Sequence, residues 1–305
     1  MAQPLMAGAA ASAAGDAEWV QVGSYTPPFI RMNAAMAFDS NSGETLLFGG
    51  NVPSNVNGNG LMGDTWTFDG SRWTEHQPAP SPSLRTGARA VWDATRGQVV
   101  LFGGAGTGGV LSDTWTWDGN TWTERHPAHS PAARAFGGMA YDAATSKVVL
   151  VGGTDGNNVS LPDTWTWDGT DWTQEITALS PPPRASFGFA DGSATSPPVL
   201  FGGVNFAGVQ GLYLNDTWTW DGPNHTWVPH PVATSPVPRA GLQLAYDPAI
   251  GKTVLYGGYA FAPNVQPNGF STQGNYDDTW TWDGSGWTLL GSAGPPRQRF
   301  YGAMV

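Results

Sequence analysis

The chain has 305 residues, a formal net charge of −11 and no cysteine. The charge repels the phosphates of nucleic acid and of an anionic membrane surface, and the absence of thiols removes disulfides, thiolate metal sites and cysteine nucleophiles together. Charged residues are only 12% while glycine and proline number 42 and 25, a balance that suits short strands and turns better than helices. No apolar run approaches the roughly 18 residues of a membrane-spanning helix, so membrane insertion is not expected.

The first stretch, "MAQPLMAGAAASAAGD", is small and alanine-rich but lacks a basic start. It reads as a leader or disordered N-terminus over residues 1–17, with a secreted or periplasmic protein favoured over a cytoplasmic one. Residues 18–305 read as one domain, because a single phrase runs through them. "DTWTFDGSRWT" begins at Asp64 and returns in near-identical form from Asp113, Asp163, Asp216 and Asp278, at spacings that grow from 49 to 62 residues. A period near 50 residues marks a repeat architecture.

Each unit contains four short segments. In the third unit they are "RAFGGMAYD", "KVVLVGG", "DTWTWD" and "DWTQE". Tryptophan and threonine alternate in the third segment with the period of a strand, and the "DG" that follows is a hairpin turn signal. The second segment is an apolar run ending in Gly-Gly, as a strand buried on both faces would be. A four-stranded antiparallel sheet with two apolar faces must stack on its neighbours, and stacking in a ring gives a β-propeller. Complete units run over 31–77, 85–126, 134–176, 184–230 and 239–290. Residues 18–23 read as a fourth strand without its blade, and "RFYGAMV" from Arg299 as a lone first strand. The fold class is therefore all-β, a propeller of five complete blades plus the terminal strands of a partial sixth. The terminal strands favour a piece of a longer six- or seven-bladed ring, with self-association through them as the other expectation.

The Gly-Gly after an apolar strand, the aromatic strand, the tryptophan of the fourth strand and the "P..R" opening each next unit resemble the kelch-repeat family. The variant here, "VVLFGG...DTWTWDG..W", resembles the bacterial kelch repeats of galactose-oxidase-like propellers over residues 19 to 305. The resemblance implies that Arg31, Arg85, Arg134, Arg184, Arg239 and Arg299 ring one mouth of a central channel. It does not bring the copper radical oxidase chemistry of that group, whose site needs a Tyr–Cys crosslink.

Site candidates follow from exceptions to the repeat. The opening arginines, Arg134 and Arg239 among them, are able to hold a carboxylate or phosphate, although pairing with the aspartates that open the third strands would neutralise them. Four residues after each arginine the units carry small side chains, except for Arg89 and Gln243; if these face the channel they are ligand-binding candidates. The longest loop joining second to third strands, 259–277, adds Tyr259, Asn268, Phe270 and Tyr276, amides and aromatics suited to a neutral polar ligand. Asp39, Asp93, Asp142 and Asp247 recur in register and read as turn residues. His76, His126 and His230 fall near the rims of separate blades and do not converge as metal ligands. No cofactor is expected; calcium is the one ion with oxygen donors in view, at "DGNN" (155–158) and "YDD" (276–278).

No nucleophile, acid and base converge in the pattern. The leading expectation is a noncatalytic interaction module that recognises a protein or glycan through its loop face. The alternatives are a metal-assisted ester or lactone hydrolase at the channel mouth, and a scaffold.

Overall fold

The computed structural model describes residues 28–52, 60–206, 211–260, 274–290, 301, 302 and 304. The leader expected at 1–17 and the isolated strand expected at 18–23 lie outside them. The described residues are all-β and form a five-bladed propeller of four-stranded antiparallel sheets. The first blade is Ala35–Asp39, Glu44–Asn51, Leu61–Phe68 and Trp73–His76; the second is Arg89–Asp93, Gln98–Phe102, Thr114–Trp117 and Trp122–Arg125. The third comprises Gly138–Asp142, Lys147–Val151, Thr164–Trp167 and Trp172–Glu175. The fourth comprises Gly188–Ala190, Val199–Phe201, Thr217–Asp221 and Thr226–Pro229, and the fifth Gln243–Asp247, Lys252–Tyr256, Thr279–Trp282 and Trp287–Leu290.

The recurring phrase earns each of its letters. In the third blade Asp163 receives the Nε1–H of Trp165 and a bidentate grip from Arg134. Trp167 pairs across the hairpin with Trp172, ring centroids 5.4 Å apart. Asp168 Oδ1 accepts the N–H of Thr170 and Asp171, and Gly169 takes the turn at φ 97°, a conformation that glycine adopts without a Cβ penalty. Thr164 accepts the indole N–H of Trp227 from the next blade, at 3.0 Å. The same staple joins Trp122 to Thr65, Trp172 to Thr114 and Trp287 to Thr217.

The core lies between blades, not within them. Phe48 and Leu46 of the first blade pack with Trp117 and Trp122 of the second, and Val149 and Val151 of the third with Trp220 and Trp227 of the fourth. Val100 and Leu101, adjacent on one strand, are both 0% exposed because each serves a different neighbour. The Gly-Gly pairs let blades approach closely. A Cβ on Gly103 would stand 2.5 Å from the Arg134 carbonyl, and Gly104 N–H donates to that same oxygen.

A closed ring of backbone hydrogen bonds surrounds the axis. Gly87 N–H donates to Asn33 O, Phe136 to Gly87, Ser186 to Phe136, Gly241 to Ser186, Tyr301 to Gly241 and Asn33 to Tyr301. All six residues have φ between 54° and 66°. Each stands two places after an opening arginine. Five come from the blades and the sixth, Tyr301, from the terminal segment, so the ring has sixfold spacing although five sheets are described.

Candidate functional site

The opening arginines are fasteners of their own blades. Arg31, Arg85, Arg134, Arg184 and Arg239 each bind both carboxylate oxygens of Asp64, Asp113, Asp163, Asp216 and Asp278, at 2.5–2.9 Å. Each also donates to the first glycine carbonyl of its Gly-Gly pair. Burial would raise these carboxylates, yet the bonds and charge of the arginine and the tryptophan N–H outweigh it, and all five lie below the usual range. Arg134 and Arg239 are 2% and 0% exposed, so both belong to these internal pairs and not to an open mouth.

The two exceptions to the repeat do meet at the axis. Arg89 and Gln243 line one cavity of about 120 Å³ inside the channel, with Ala35, Gly138 and Gly188 at the equivalent places and Gly302 also in the lining. Arg89 Nε donates to the Gly137 carbonyl at 2.5 Å, a group on the unpaired inner edge of the third blade. Among the described residues no carboxylate pairs with Arg89. Burial lowers its pKa to about 10, which leaves it fully cationic at neutral pH. Gln243 is 7% exposed and its Nε2 has no hydrogen-bond partner among the described residues. Its neighbour is Gly302, where a Cβ would come within 2.8 Å of that nitrogen.

Below them six residues form an apolar waist: Met36, Ala90, Met139, Phe189, Leu244 and Met304, which line this cavity and a second one beyond it. Each stands five places after an opening arginine, one from every position of the ring. The second chamber measures about 300 Å³ and contains Asp191. Asp191 Oδ1 accepts the Tyr141 N–H at 2.7 Å, and desolvation pushes its carboxyl up to about 6. The repeat pattern of the inner strands does not by itself mark this residue. Its signal was a gap: the turn aspartates Asp39, Asp93, Asp142 and Asp247 have Gly192 at the fourth blade's equivalent place, with the carboxylate one position early. That one-residue shift carries it from the turn into the channel.

The turn aspartates do cap their turns, as in Asn41 N–H to Asp39 and Ala249 N–H to Asp247. Of the long-loop candidates, Tyr259 is buried and its hydroxyl bonds that of Tyr301; desolvation, then that bond, raise its pKa well above the usual tyrosine value. Tyr276 lies over the Arg239 guanidinium, 4.2 Å from ring centroid to Cζ. Asn268 and Phe270 lie outside the described residues. Asp155 of "DGNN" accepts the N–H of Asn157 and Val159 within its own turn. Asp278 of "YDD" is held by Arg239. His76 and His230 bond Thr67 and Thr219 of their own blades, and no group of three or more metal-ligating side chains occurs among the described residues. No family model matches the chain, and no curated protein matches it significantly.

Proposed function

We propose that this protein is a noncatalytic binding module that takes a carboxylate presented by a protein partner into the upper chamber of its channel. The observation that carries the reading is Arg89. Its half-buried guanidinium has no carboxylate partner among the described residues, while the five opening arginines are neutralised within their blades. A guanidinium facing into a cavity is a strong site for a planar anion, and the amide nitrogen of Gln243 offers a further donor from the facing blade.

Size favours a protein side chain or terminus over a sugar ring. A dry cavity of about 150 Å³ holds a benzene-sized group, and this chamber is smaller, at about 120 Å³. The kelch-like repeat supports the same reading, since such propellers are rigid frames with binding groups set at one mouth.

The test is calorimetric titration with acetyl-glutamate amide and, as control, acetyl-glutamine amide. Binding of the first alone, lost about tenfold or more in Arg89→Gln and kept in part by Arg89→Lys, is the expected outcome. Equal affinity in Arg89→Gln, or preference for neutral oligosaccharides over both probes, overturns it.

A further inference from the structure

The lower chamber differs chemically from the upper one. Its walls include Phe38, Trp92, Phe189 and Tyr246, with the methionines of the waist above them. Among the described residues no arginine, lysine or histidine lines it, and Asp191 is the one carboxylate that does. In the other four blades the place of Asp191 is held by an aromatic, Phe38, Trp92, Tyr141 or Tyr246, so a single blade has replaced a ring with a charge. Only Oδ1 of Asp191 has a hydrogen-bond partner among the described residues, the Tyr141 N–H.

A carboxylate among aromatic rings complements a cation that is bulky and weakly hydrated. The rings attract positive charge through their quadrupoles, most strongly for tryptophan, and the half-buried carboxylate adds a Coulombic partner. A divalent metal requires about six oxygen ligands, whereas the described lining supplies, from side chains, one carboxylate and the hydroxyls of Ser40 and Tyr246. The volume of about 300 Å³ matches the lower end of small-ligand pockets.

We propose that the lower chamber is a site for a monovalent organic cation of the alkylammonium or quaternary ammonium class, with Asp191 as counter-ion and Trp92, Phe189 and Tyr246 as walls. The site is independent of Arg89, which lies on the other side of the apolar waist. A carboxylate needed only to cap the Tyr141 N–H would not require charge, and this separates the two roles. Asp191→Asn keeps an oxygen able to accept that hydrogen bond and removes the counter-ion.

Tetramethylammonium chloride is the probe, titrated calorimetrically and by thermal unfolding at pH 7.5 against equal sodium chloride. The unfolding midpoint is expected to rise with tetramethylammonium beyond the sodium control, by mass action on the folded state. Asp191→Asn is expected to weaken binding roughly tenfold or more, and Arg89→Gln to leave it unchanged. In the wild type the affinity is expected to fall on acidification from pH 7.5 to 5. The other ionisable groups on the surrounding inner strands are Arg89, cationic throughout this range, Tyr246, Tyr141, bonded to Thr95, and the turn aspartates. Asp93 is paired with Arg96, Asp142 is held by Thr145, and Asp39 and Asp247 are bonded in their turns. No difference between the two salts, equal affinity in Asp191→Asn, or a flat pH profile overturns the proposal. The pH profile decides the matter even if the variant fails to fold.

Discussion

Arg89 and Asp191 hold the same strand from opposite sides: Arg89 of the second blade donates to Gly137 O, and Asp191 of the fourth accepts from Tyr141 N–H. The two anchor points are four residues apart on the inner strand of the third blade, about 13 Å at the usual rise. That strand has a free edge towards the axis, so its backbone groups need partners. Two neighbouring blades supply them with charged side chains, and the apolar waist separates the charges. The channel is thus cationic at the loop end and anionic at the other.

The unusual carboxyl of Asp191 sets a pH-dependent stability. Its folded pKa, about 6, lies above the ordinary value near 3.9. Below pH 4 both states are protonated and it costs nothing. Between pH 4 and 6 the unfolded state ionises first, so wild-type stability falls as pH rises, and above 6 the deficit is constant. Asp191→Asn escapes this and should be more stable than wild type by about 1–2 kcal/mol at pH 8, with no gain at pH 4. Urea unfolding at the two pH values measures it, and equal differences at both would refute the assignment.

The arginine clamps have the opposite sign. Arg134 and the Trp165 N–H hold the Asp163 carboxyl below the ordinary carboxylate range, so its contribution is complete above that range and is lost as pH falls through the folded value. Asp163→Ala leaves the Arg134 guanidinium, 2% exposed, without its anion. The expected loss is about 3–5 kcal/mol, read from the urea midpoint at pH 7. A loss below 1 kcal/mol would show that the buried pair is dispensable.

Most of the frame was legible because the repeat states its own chemistry: alternation in "DTWTWD" gave strands, and Arg89 and Gln243 stood out against small residues at one position. The ring was not legible. Asn33, Gly87, Phe136, Ser186, Gly241 and Tyr301 have no side-chain chemistry in common; what they share is a left-handed backbone, which only the glycines advertise. Asp191 escaped for a similar reason. Composition counted one more acidic residue near a turn, and only register shows that it points into the channel and not out of it.

The ring makes unequal demands on its members. Gly87 needs positive φ, and a Cβ there would meet the Phe136 ring at 2.6 Å, so Gly87→Ala should cost about 2 kcal/mol or more. Ser186 holds φ 55° despite its side chain, at a strain of about 1–2 kcal/mol. Ser186→Gly removes that strain and adds unfolded-state entropy of about 0.5–1 kcal/mol, so it should be neutral or slightly stabilising. Paired thermal melts compare them; equal destabilisation by both would mean that side-chain packing, not backbone conformation, governs the ring.

The inter-blade staples should be additive across blades. Trp172 is 1% exposed and its Nε1–H bonds Thr114 Oγ1 at 2.9 Å, while Trp227 does the same to Thr164 one blade further on. Trp172→Phe removes the donor, leaves the 1%-exposed Thr114 short of a partner and opens part of the indole volume. The two effects together predict a loss of about 2–4 kcal/mol. Trp73, at the same place in the first blade, is half-buried and bonds no threonine among the described residues, so Trp73→Phe should cost less than 1 kcal/mol. The double variant Trp172→Phe/Trp227→Phe, whose staples involve separate interfaces, should lose the sum of the single values to within about 0.5 kcal/mol. A large deviation from that sum in urea unfolding would mean that strain passes through the third blade from one interface to the other.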